Sequence, residues 1–443
     1  MSHEITTEQL NQFKKELNNQ PAATVIERAV TKNGILASSY DWHAVSKSEP
    51  VFSIDLNTGD VSNQKQSGRC WMFAALNTMR HDMAQKFGLT KFELSQSYTF
   101  FWDKFEKANY FYENVLKTAH QPAGSREVAW LMETPQQDGG QWDMLCALIE
   151  KYGVVPQSAM PETYNSSKSN EINTTLNRKL RQDAITLRKL VTDNASETQI
   201  DQTRNEMLNA IYRVLTYSFG QPPVKFDFEY RDEQKNYHRD ADLTPQTFFQ
   251  KYVGWNLDDY VSIINSPTAD KPYNQTYTID MLGNVVGGRP VKHLNVTMAD
   301  FKKLAITQLK AGESVWFGCD VGQSSDRQKG IMDTNIYNET ELFDTPFSMT
   351  KAQRLDYGDS MMTHAMVLTG VDLVDDKPTK WKVENSWGPK VGTKGYFVMS
   401  DTWMDEFCYQ IVVKKQFLSP ELKAAQEQEP VLLKPWDPMG ALA

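Results

Sequence analysis

Residues 64–71 read Gln64-Lys-Gln-Ser-Gly-Arg-Cys70-Trp71, and they place a lone cysteine at the predicted start of a helix, a short distance after a side-chain amide. Good helix formers dominate residues 72–83, and Gly88 is a natural C-cap. A cysteine at a helix N-terminus lies near unpaired N–H groups and the positive end of the helix dipole, which favours its thiolate. The Gln64 amide and the backbone N–H of Cys70 can donate hydrogen bonds to the oxyanion that forms when this thiolate attacks a carbonyl.

The partners that a nucleophilic thiol needs lie far downstream. His364 opens a β-prone apolar run, and Asn385 ends a second short strand and is followed by Ser-Trp387-Gly. The histidine would take the thiol proton and later protonate the leaving amine, while the asparagine would accept the imidazole N–H and orient the ring. Trp387 would shield that hydrogen bond from water. His293 is the reserve candidate for the base.

These motifs resemble those of the papain-like cysteine peptidases, in which Gln, Cys-Trp, His and Asn-Ser-Trp-Gly follow one another in this order. The closer resemblance is to the bleomycin hydrolase family, in particular its bacterial aminopeptidase C branch. The separation of Cys70 and His364 is about twice the ~130–150 residues typical of papain and cathepsins. The segment 138–144, Asp-Gly-Gly-Gln-Trp-Asp-Met, looks like that family's substrate-side glycine motif, and the chain ends in the family's tail sequence, Trp-Asp-Pro-Met-Gly-Ala-Leu-Ala443.

The resemblance implies an α+β, papain-like fold with a helical half, a β-barrel-like half and a catalytic cleft between them. Helical periodicity predicts a first helix at residues 7–17, followed by an extended arm. The expected segments are an N-terminal helix and arm (1–60), the helical half (61–160), a helical insertion (161–274), the β-rich half (275–427) and an extended C-terminal tail (428–443).

Two amphipathic helices are predicted inside the insertion. Apolar residues recur at helical spacing in the first of them, and the second ends at Gly220. The predicted apolar face of the first helix consists of Leu176, Leu180, Ile185, Leu187 and Leu190. Such helices pack on the core or on another subunit, and the resemblance implies that they build a homohexamer around a central chamber.

The glycine pair Gly139-Gly140 and the C-terminal tail are candidate substrate-binding elements. The glycines could form a simple turn, but papain-like enzymes use such glycines to pair with the substrate backbone as an added strand. Prolines favour an extended tail, and chain termini commonly fray. The resemblance implies instead that the tail enters the cleft and that the Ala443 carboxylate pairs with the α-ammonium group of the substrate.

Composition restricts the possible partners and the compartment. The net charge of −9 argues against general nucleic-acid binding, and the four cysteines form neither a CxxC motif nor a Cys/His cluster, so no metal site is expected. Secreted papain relatives carry a disulfide cysteine where this chain has Ser67, which fits a reducing compartment. The first residues lack a signal-peptide pattern, and no apolar run is long enough to span a membrane. These features predict a cytoplasmic protein.

The leading prediction is a cytoplasmic thiol aminopeptidase that releases N-terminal amino acids from peptides through an acyl-enzyme, with no cofactor. The family resemblance adds an incidental hydrolysis of bleomycin-like amides. One alternative is a catalytically silent papain-fold protein used for assembly or binding, although Cys70, His364 and Gln64 are all present. A further alternative is an endopeptidase or acyltransferase that uses the same triad.

Overall fold

Helices form most of the chain up to residue 219 in the computed structural model, which describes residues 3–89 and 91–443. The N-terminal segment contains the helices α1 (Thr7–Asn18), α2 (Ala23–Asn33), α3 (Ile35–Ser38) and α4 (Trp42–Ser46), followed by the strand β1 (Ile54–Asp55). The predicted first helix is confirmed, but the extended arm is wrong over much of its length. Ala23, Ile26 and Val30 recur at helical spacing and are half-buried, which explains why α2 forms.

The helical half surrounds the nucleophile. It contains α5 (Cys70–Phe87), α6 (Gln96–Lys117), α7 (Arg126–Glu133) and α8 (Trp142–Tyr152). The side chain of Ser95 accepts a hydrogen bond from the Tyr98 N–H and caps α6, while Gly88 ends α5 in the left-handed conformation with φ = 61°. Both the helix predicted after Cys70 and its glycine cap are confirmed.

The insertion is a helical hairpin followed by a β-hairpin that the sequence did not predict. Its elements are α9 (Tyr164–Ser167), α10 (Asn170–Thr192), α11 (Glu197–Phe219), β2 (Phe226–Arg231), β3 (Tyr237–Leu243) and α12 (Pro245–Phe248). Leu176, Leu180 and Leu187 are buried as predicted. Ile185 is 71% exposed, so its assignment to the buried face is wrong. It lies one residue beyond the buried Ala184, about 100° further around the helix.

A twelve-stranded mixed sheet forms the rest of the molecule. It begins at residue 260, earlier than predicted, with β4 (Tyr260–Ile264), β5 (Gln275–Ile279), β6 (His293–Asn295), β7 (Val315–Cys319), β8 (Ser325–Asp326) and β9 (Ile331–Met332). It continues with β10 (His364–Val374), β11 (Lys377–Glu384), β12 (Tyr396–Ser400), β13 (Cys408–Lys414) and β14 (Val431–Leu433). The strand order is β14-β5-β6-β4-β13-β7-β10-β11-β12-β9-β8, and β1 pairs with β10. The accompanying helices are α13 (Met298–Lys310), α14 (Glu339–Phe343), α15 (Lys351–Tyr357), α16 (Asp401–Phe407) and α17 (Pro420–Gln426).

Two hydrophobic cores lie on opposite faces of this sheet. Along β10, Ala365 and Val367 belong to the core that contains the nucleophile helix, whereas Met366 and Leu368 belong to the core that contains α13. This alternation is the two-residue period of a strand buried on both faces. The strand that begins at His364 is therefore packed directly against α5. Among the described residues, no helix is long and apolar enough to cross a membrane.

The C-terminal tail is anchored before it reaches the cleft. Strand β14 pairs in parallel with β5, Lys271 forms an ion pair with Asp437 at 2.9 Å, and the Arg126 guanidinium lies 3.9 Å from the centre of the Trp436 ring. These contacts bring the last residues of the chain to the glycine pair at 139–140.

Candidate active site

Cys70 is the first residue of α5 and is almost completely buried, with 2% of its surface exposed. Arg69, the N-cap residue, has no side-chain hydrogen bond to the helix, so the first N–H groups of α5 remain directed at the thiol. The backbone N–H of Ala365 also reaches the thiol, which places Cys70 beside the first residues of β10. Burial nevertheless raises the pKa of Cys70 to about 11, against the opposing effect of these N–H groups. The N–H groups at the helix terminus lower the pKa of Cys70, as expected, while burial acts in the opposite direction. That the thiolate is favoured stays a prediction.

His364 lies against Asn385, which was predicted to orient its ring, and against Trp387, which was predicted to shield their hydrogen bond. Its Nε2 lies 2.9 Å from the Asn385 Oδ1, and its ring is 4.9 Å from the Trp387 ring, centre to centre. Because Nε2 donates to the asparagine oxygen, Nδ1 is the ring nitrogen available to accept the thiol proton. Burial lowers the pKa of His364 to about 4, although the hydrogen bond to Asn385 opposes this shift. Burial therefore opposes the charged form of both Cys70 and His364.

A tight hairpin brings the histidine and the asparagine together. Strands β10 and β11 pair antiparallel, with Val367 opposite Glu384, and they are joined through Asp375 and Asp376. Both turn residues have positive φ, at 50° and 58°, as a two-residue hairpin turn of type I′ requires. The register fixed by this turn places Asn385 across from the start of β10, where His364 lies.

Gln64 is oriented by a residue that the sequence analysis did not assign a role. The Ser386 hydroxyl donates to the Gln64 Oε1 at 2.5 Å, and the Gln64 backbone N–H donates to the Ser386 carbonyl at 2.8 Å. One Nε2 hydrogen is engaged by the Ser67 carbonyl at 2.6 Å, and an amide nitrogen has a second hydrogen to donate. Ser386 belongs to the Asn-Ser-Trp-Gly motif, and its place beside Asn385 in that motif could have indicated a role in the site.

The glycine pair lies against the indole of Trp71 and against the end of the chain. The Gly140 N–H donates to the Ala443 carboxylate at 3.2 Å, and the Ala443 N–H donates to the Gly140 carbonyl at 3.3 Å. A Cβ on Gly139 would lie 2.7 Å from the Ala443 oxygen, and one on Gly140 would lie 2.6 Å from the Trp71 ring. Trp71 itself is fixed by donating its indole N–H to the Asp138 carbonyl at 2.8 Å. Both positions therefore require glycine.

The tail is buried in the cleft along its final residues. Ala443 is 4% exposed, and the Gln141 amide donates to the Ala441 carbonyl at 2.6 Å. Gln141 is a second contact that the sequence analysis missed. A cavity of about 560 Å³ remains on the far side of the tail, with Leu442 among the residues that line it. Its apolar walls come mainly from Trp130, Leu131, Met281, Met361 and Met362.

Comparison with known proteins agrees with this geometry. A match to the Peptidase C1-like family covers residues 4–440. The chain belongs to the Peptidase C1-like family. It is 56% identical to Aminopeptidase C of Lactobacillus delbrueckii subsp. lactis, over 100% of this chain and 99% of that protein, and 54% identical to Aminopeptidase C of Listeria innocua, over the whole of both chains. The crystal structure of pepw from Lactobacillus rhamnosis HN001 superposes with a TM-score of 0.99 at 67% identity and covers all of both chains.

These similarities confirm the papain-like α+β fold and the resemblance to aminopeptidase C. The candidate residues Cys70, His364 and Asn385 lie at the start of α5, at the head of β10 and just after β11. The division of the chain into five segments remains a prediction.

The other histidine and cysteines that the sequence raised have structural positions. Cys319 lies opposite His364 in the pairing of β7 with β10, but its side chain belongs to the core that contains α13. His293 is buried in the sheet, where its Nδ1 lies 2.7 Å from the Ser262 hydroxyl. The other three cysteines are buried free thiols, and burial raises the pKa of each: Cys146, Cys319 and Cys408. Among the described residues, no group of three or more His, Cys, Asp or Glu side chains is arranged to hold a metal ion.

An ion-pair cluster behind Asn385 is a further feature that the sequence did not indicate. Glu384, the last residue of β11, is fully buried and pairs with Arg80 at 3.0 Å and with His81 at 3.1 Å. Arg80 and His81 both lie on α5, so this cluster links the nucleophile helix to the residue that precedes Asn385.

Proposed function

We propose that this chain, a cysteine-type aminopeptidase by its family and its relatives, releases N-terminal amino acids from peptides through an acyl-enzyme on Cys70. The observation that carries the proposal is the position of the chain's own carboxylate. Ala443 pairs with Gly140 inside the cleft of a complete Cys-His-Asn cluster. A cleft with this occupant leaves room for a short N-terminal portion of a substrate.

The first chemical step would be attack on the carbonyl of the N-terminal residue. The His364 Nδ1 would take the thiol proton, and the sulfur would form its bond to the carbonyl carbon. The resulting imidazolium would then protonate the leaving amine of the shortened peptide. Water would enter with His364 as its base and hydrolyse the thioester, which regenerates the Cys70 thiol.

The oxyanion of each tetrahedral intermediate would be stabilised by fixed donors. The backbone N–H of Cys70 at the start of α5 and the second Nε2 hydrogen of Gln64 are the candidates. Ser386 holds the Gln64 side chain so that its amide nitrogen, rather than its oxygen, faces away from the Asn385 loop. Loss of one oxyanion donor typically lowers kcat by about 10²–10³-fold.

The Ala443 carboxylate would select substrates that have a free α-ammonium group. One of its oxygens accepts from the Gly140 N–H, and each carboxylate oxygen can accept more than one hydrogen bond. A substrate ammonium group could therefore pair with this carboxylate while the next peptide bond lies at the thiol. A longer acyl portion would collide with the tail, so one amino acid would be released in each cycle.

The compartment, the assembly and the wider substrate range are further parts of the proposal. Four free cysteines fit a reducing compartment such as the cytoplasm. Leu10, Phe13 and Leu17 form an exposed apolar face on α1, and Ile185 and Tyr217 are exposed on the insertion, which supports burial against other subunits of a homohexamer. Light scattering tests the hexamer, which should have about six times the 50.7 kDa mass of one chain. Bleomycin-like amides would be incidental substrates, tested by direct hydrolysis.

The test of the activity compares an aminoacyl fluorogenic amide with its N-acetylated twin. We expect the wild-type protein to cleave the free amine and to spare the acetylated compound. Cys70→Ala should abolish cleavage, whereas Cys146→Ala, which alters a buried thiol on α8, should retain it. Equal cleavage of both compounds would refute the role of the carboxylate, and activity in Cys70→Ala would refute the mechanism.

A further inference from the structure

One buried carboxylate connects three parts of the molecule that meet at the cleft. The Asp138 Oδ2 accepts from the backbone N–H of Gly68 at 2.9 Å and from the Ser169 hydroxyl. The other oxygen, Oδ1, accepts from the Asn173 amide at 2.8 Å and pairs with the Lys104 ammonium at 2.7 Å. Asp138 is 7% exposed, so these partners replace most of its contacts with water.

The partners come from three parts of the fold, and Lys104 lies on α6. Gly68 lies in the loop between Gln64 and Cys70, which we call the oxyanion loop (residues 64–70). Ser169 and Asn173 lie at the start of the insertion helix α10. Asp138 itself immediately precedes the glycine pair that contacts the tail. The same carboxylate therefore touches the oxyanion loop and the insertion, and its own backbone continues into the glycine pair Gly139-Gly140.

The fit at this junction is close. A Cβ on Gly68 would lie 2.9 Å from the Asp138 Cβ, so the loop could not approach this carboxylate if residue 68 had a side chain. The insertion also pairs directly with the oxyanion loop, because the Gln66 N–H donates to the Ser167 carbonyl at 2.9 Å. This chain has Ser67 where secreted relatives have a disulfide cysteine. The neighbouring residue, Gly68, connects the oxyanion loop to Asp138 by a hydrogen bond instead.

The charge of Asp138 is maintained by its surroundings. Burial alone would raise the pKa of this carboxyl, but the Lys104 ammonium and the hydrogen-bond donors hold it well below its usual range. Lys104 is itself fully buried, donates to the Asn173 side chain at 2.6 Å and lies 4.9 Å from the centre of the Phe100 ring. The Asp138 carboxyl is therefore ionised throughout the neutral pH range.

We propose that Asp138 is a positioning residue that sets the distance between the oxyanion loop and the substrate-pairing glycines, and so aligns a bound carbonyl with the oxyanion donors. This inference rests on the proposed function, because it concerns the same reaction. Asp138 touches neither the substrate nor the reacting atoms, and it acts through Gly68 and through Gly139-Gly140. A shift of about 1 Å between these two segments is enough to lower the rate by about 10²-fold.

The test separates alignment from folding and from thiol reactivity. Asp138→Asn should lower kcat for the aminoacyl amide by about 10–100-fold. Alkylation of Cys70 by iodoacetamide needs neither the oxyanion donors nor strand pairing. The charge of Asp138 raises the pKa of Cys70, so Asp138→Asn should leave the alkylation rate unchanged or increase it. Ser169→Ala removes one donor to the same oxygen without changing any charge, and it should lower kcat by a few-fold.

Asp138→Asn leaves the Lys104 ammonium buried without its carboxylate partner, which can destabilise the fold. The double variant Asp138→Asn/Lys104→Met removes that charge and so separates a loss of stability from a loss of alignment. It should recover thermal stability but not kcat. Asp401→Asn, which breaks an ion pair of the same length with Lys302 in the β-rich half, is the matched control and should retain kcat.

Recovery of kcat together with Tm in the double variant, or a parallel loss of alkylation and turnover, would overturn the inference in favour of a purely structural role. Unchanged kcat in Asp138→Asn would also overturn it. Wild-type protein that does not cleave the aminoacyl amide would instead refute the proposed function itself.

Discussion

Deletion of Gly440–Ala443 is the perturbation that most directly changes the shape and charge of the cleft. It removes the Ala443 carboxylate, its two backbone hydrogen bonds to Gly140 and the contact between Gln141 and Ala441. The cavity of about 560 Å³ beside the tail would then join the cleft. A substrate could extend past the glycine pair where the tail now lies.

The magnitude follows from the burial of the carboxylate. Ala443 is 4% exposed, so its charge is poorly screened by water. Opposite charges about 4 Å apart attract by about 4 kcal/mol at an effective dielectric constant of about 20. Since 1.4 kcal/mol corresponds to a factor of ten, the free ammonium group of a substrate would gain on the order of 10²–10³-fold in kcat/KM from this contact.

The assay measures kcat/KM for a free-amine aminoacyl amide and for an N-acetylated peptide that spans the cleft. In the truncated protein, kcat/KM for the free-amine amide should fall by about 10²–10³-fold. The truncated protein should also cleave the N-acetylated peptide, which the full-length protein spares. A control protein with one glycine added after Ala443 keeps the tail but moves the carboxylate by about 3.5 Å. This protein should have a lower kcat/KM for the free-amine substrate and should still spare the N-acetylated peptide. A truncated protein with an unchanged preference for free amines would refute the reasoning.

Three further changes test other parts of the account. Asn385→Ala removes the hydrogen bond to the His364 Nε2 and should lower kcat by about 10–100-fold with little change in KM, whereas an unchanged kcat would exclude an orienting role. Gly139→Ala places a Cβ 2.7 Å from the Ala443 oxygen and should displace the tail, so discrimination against N-acetylated peptides should weaken; full discrimination would contradict the observed packing. Burial lowers the pKa of His293 to about 4, so between about pH 6.5 and pH 4 the unfolded chain binds a proton that the native protein does not, and stability falls as the pH decreases. The free energy of unfolding, measured in urea, should therefore fall by roughly 2–3 kcal/mol less for His293→Gln than for wild type between about pH 7 and pH 4.5. Equal decreases in the two proteins would contradict this.

Local signals explain why the catalytic residues could be predicted from the sequence. The helix formers after Cys70 mark the start of α5, and the apolar run after His364 marks β10. Each signal depends on a few neighbouring residues, and the geometry of a helix start or a strand end then fixes where the side chain lies. The spacing in the motif Asn-Ser-Trp-Gly likewise predicted the contacts of Asn385 and Trp387 with the histidine ring.

The contacts that complete the cleft depend on residues far apart in the chain, and for that reason they were not predicted. The pairing of Gln64 with Ser386 joins residues more than 300 positions apart, and the junction at Asp138 joins the oxyanion loop to the insertion. Burial also raises the pKa of Cys70, and the degree of burial is not visible in the sequence, whereas a helix terminus is.

The same distinction applies to the fold. The amphipathic helices of the insertion were visible from their period, but the β-hairpin at Phe226–Arg231 and Tyr237–Leu243 is short and mostly solvent-exposed, so its sequence lacks a strong alternation of apolar residues. The parallel pairing of β14 with β5 is likewise a long-range contact, and it converts a proline-containing tail into an anchored arm.

The central claim is that Cys70 accepts a single N-terminal aminoacyl group from a peptide with a free amine. Rapid acid quenching during turnover of such a peptide, followed by intact-protein and peptide mass spectrometry, measures this directly. The account predicts a thioester of one amino acid on Cys70, absent when the peptide is N-acetylated. An adduct of two or more residues, an adduct on another side chain, or the same adduct from the acetylated peptide would contradict it.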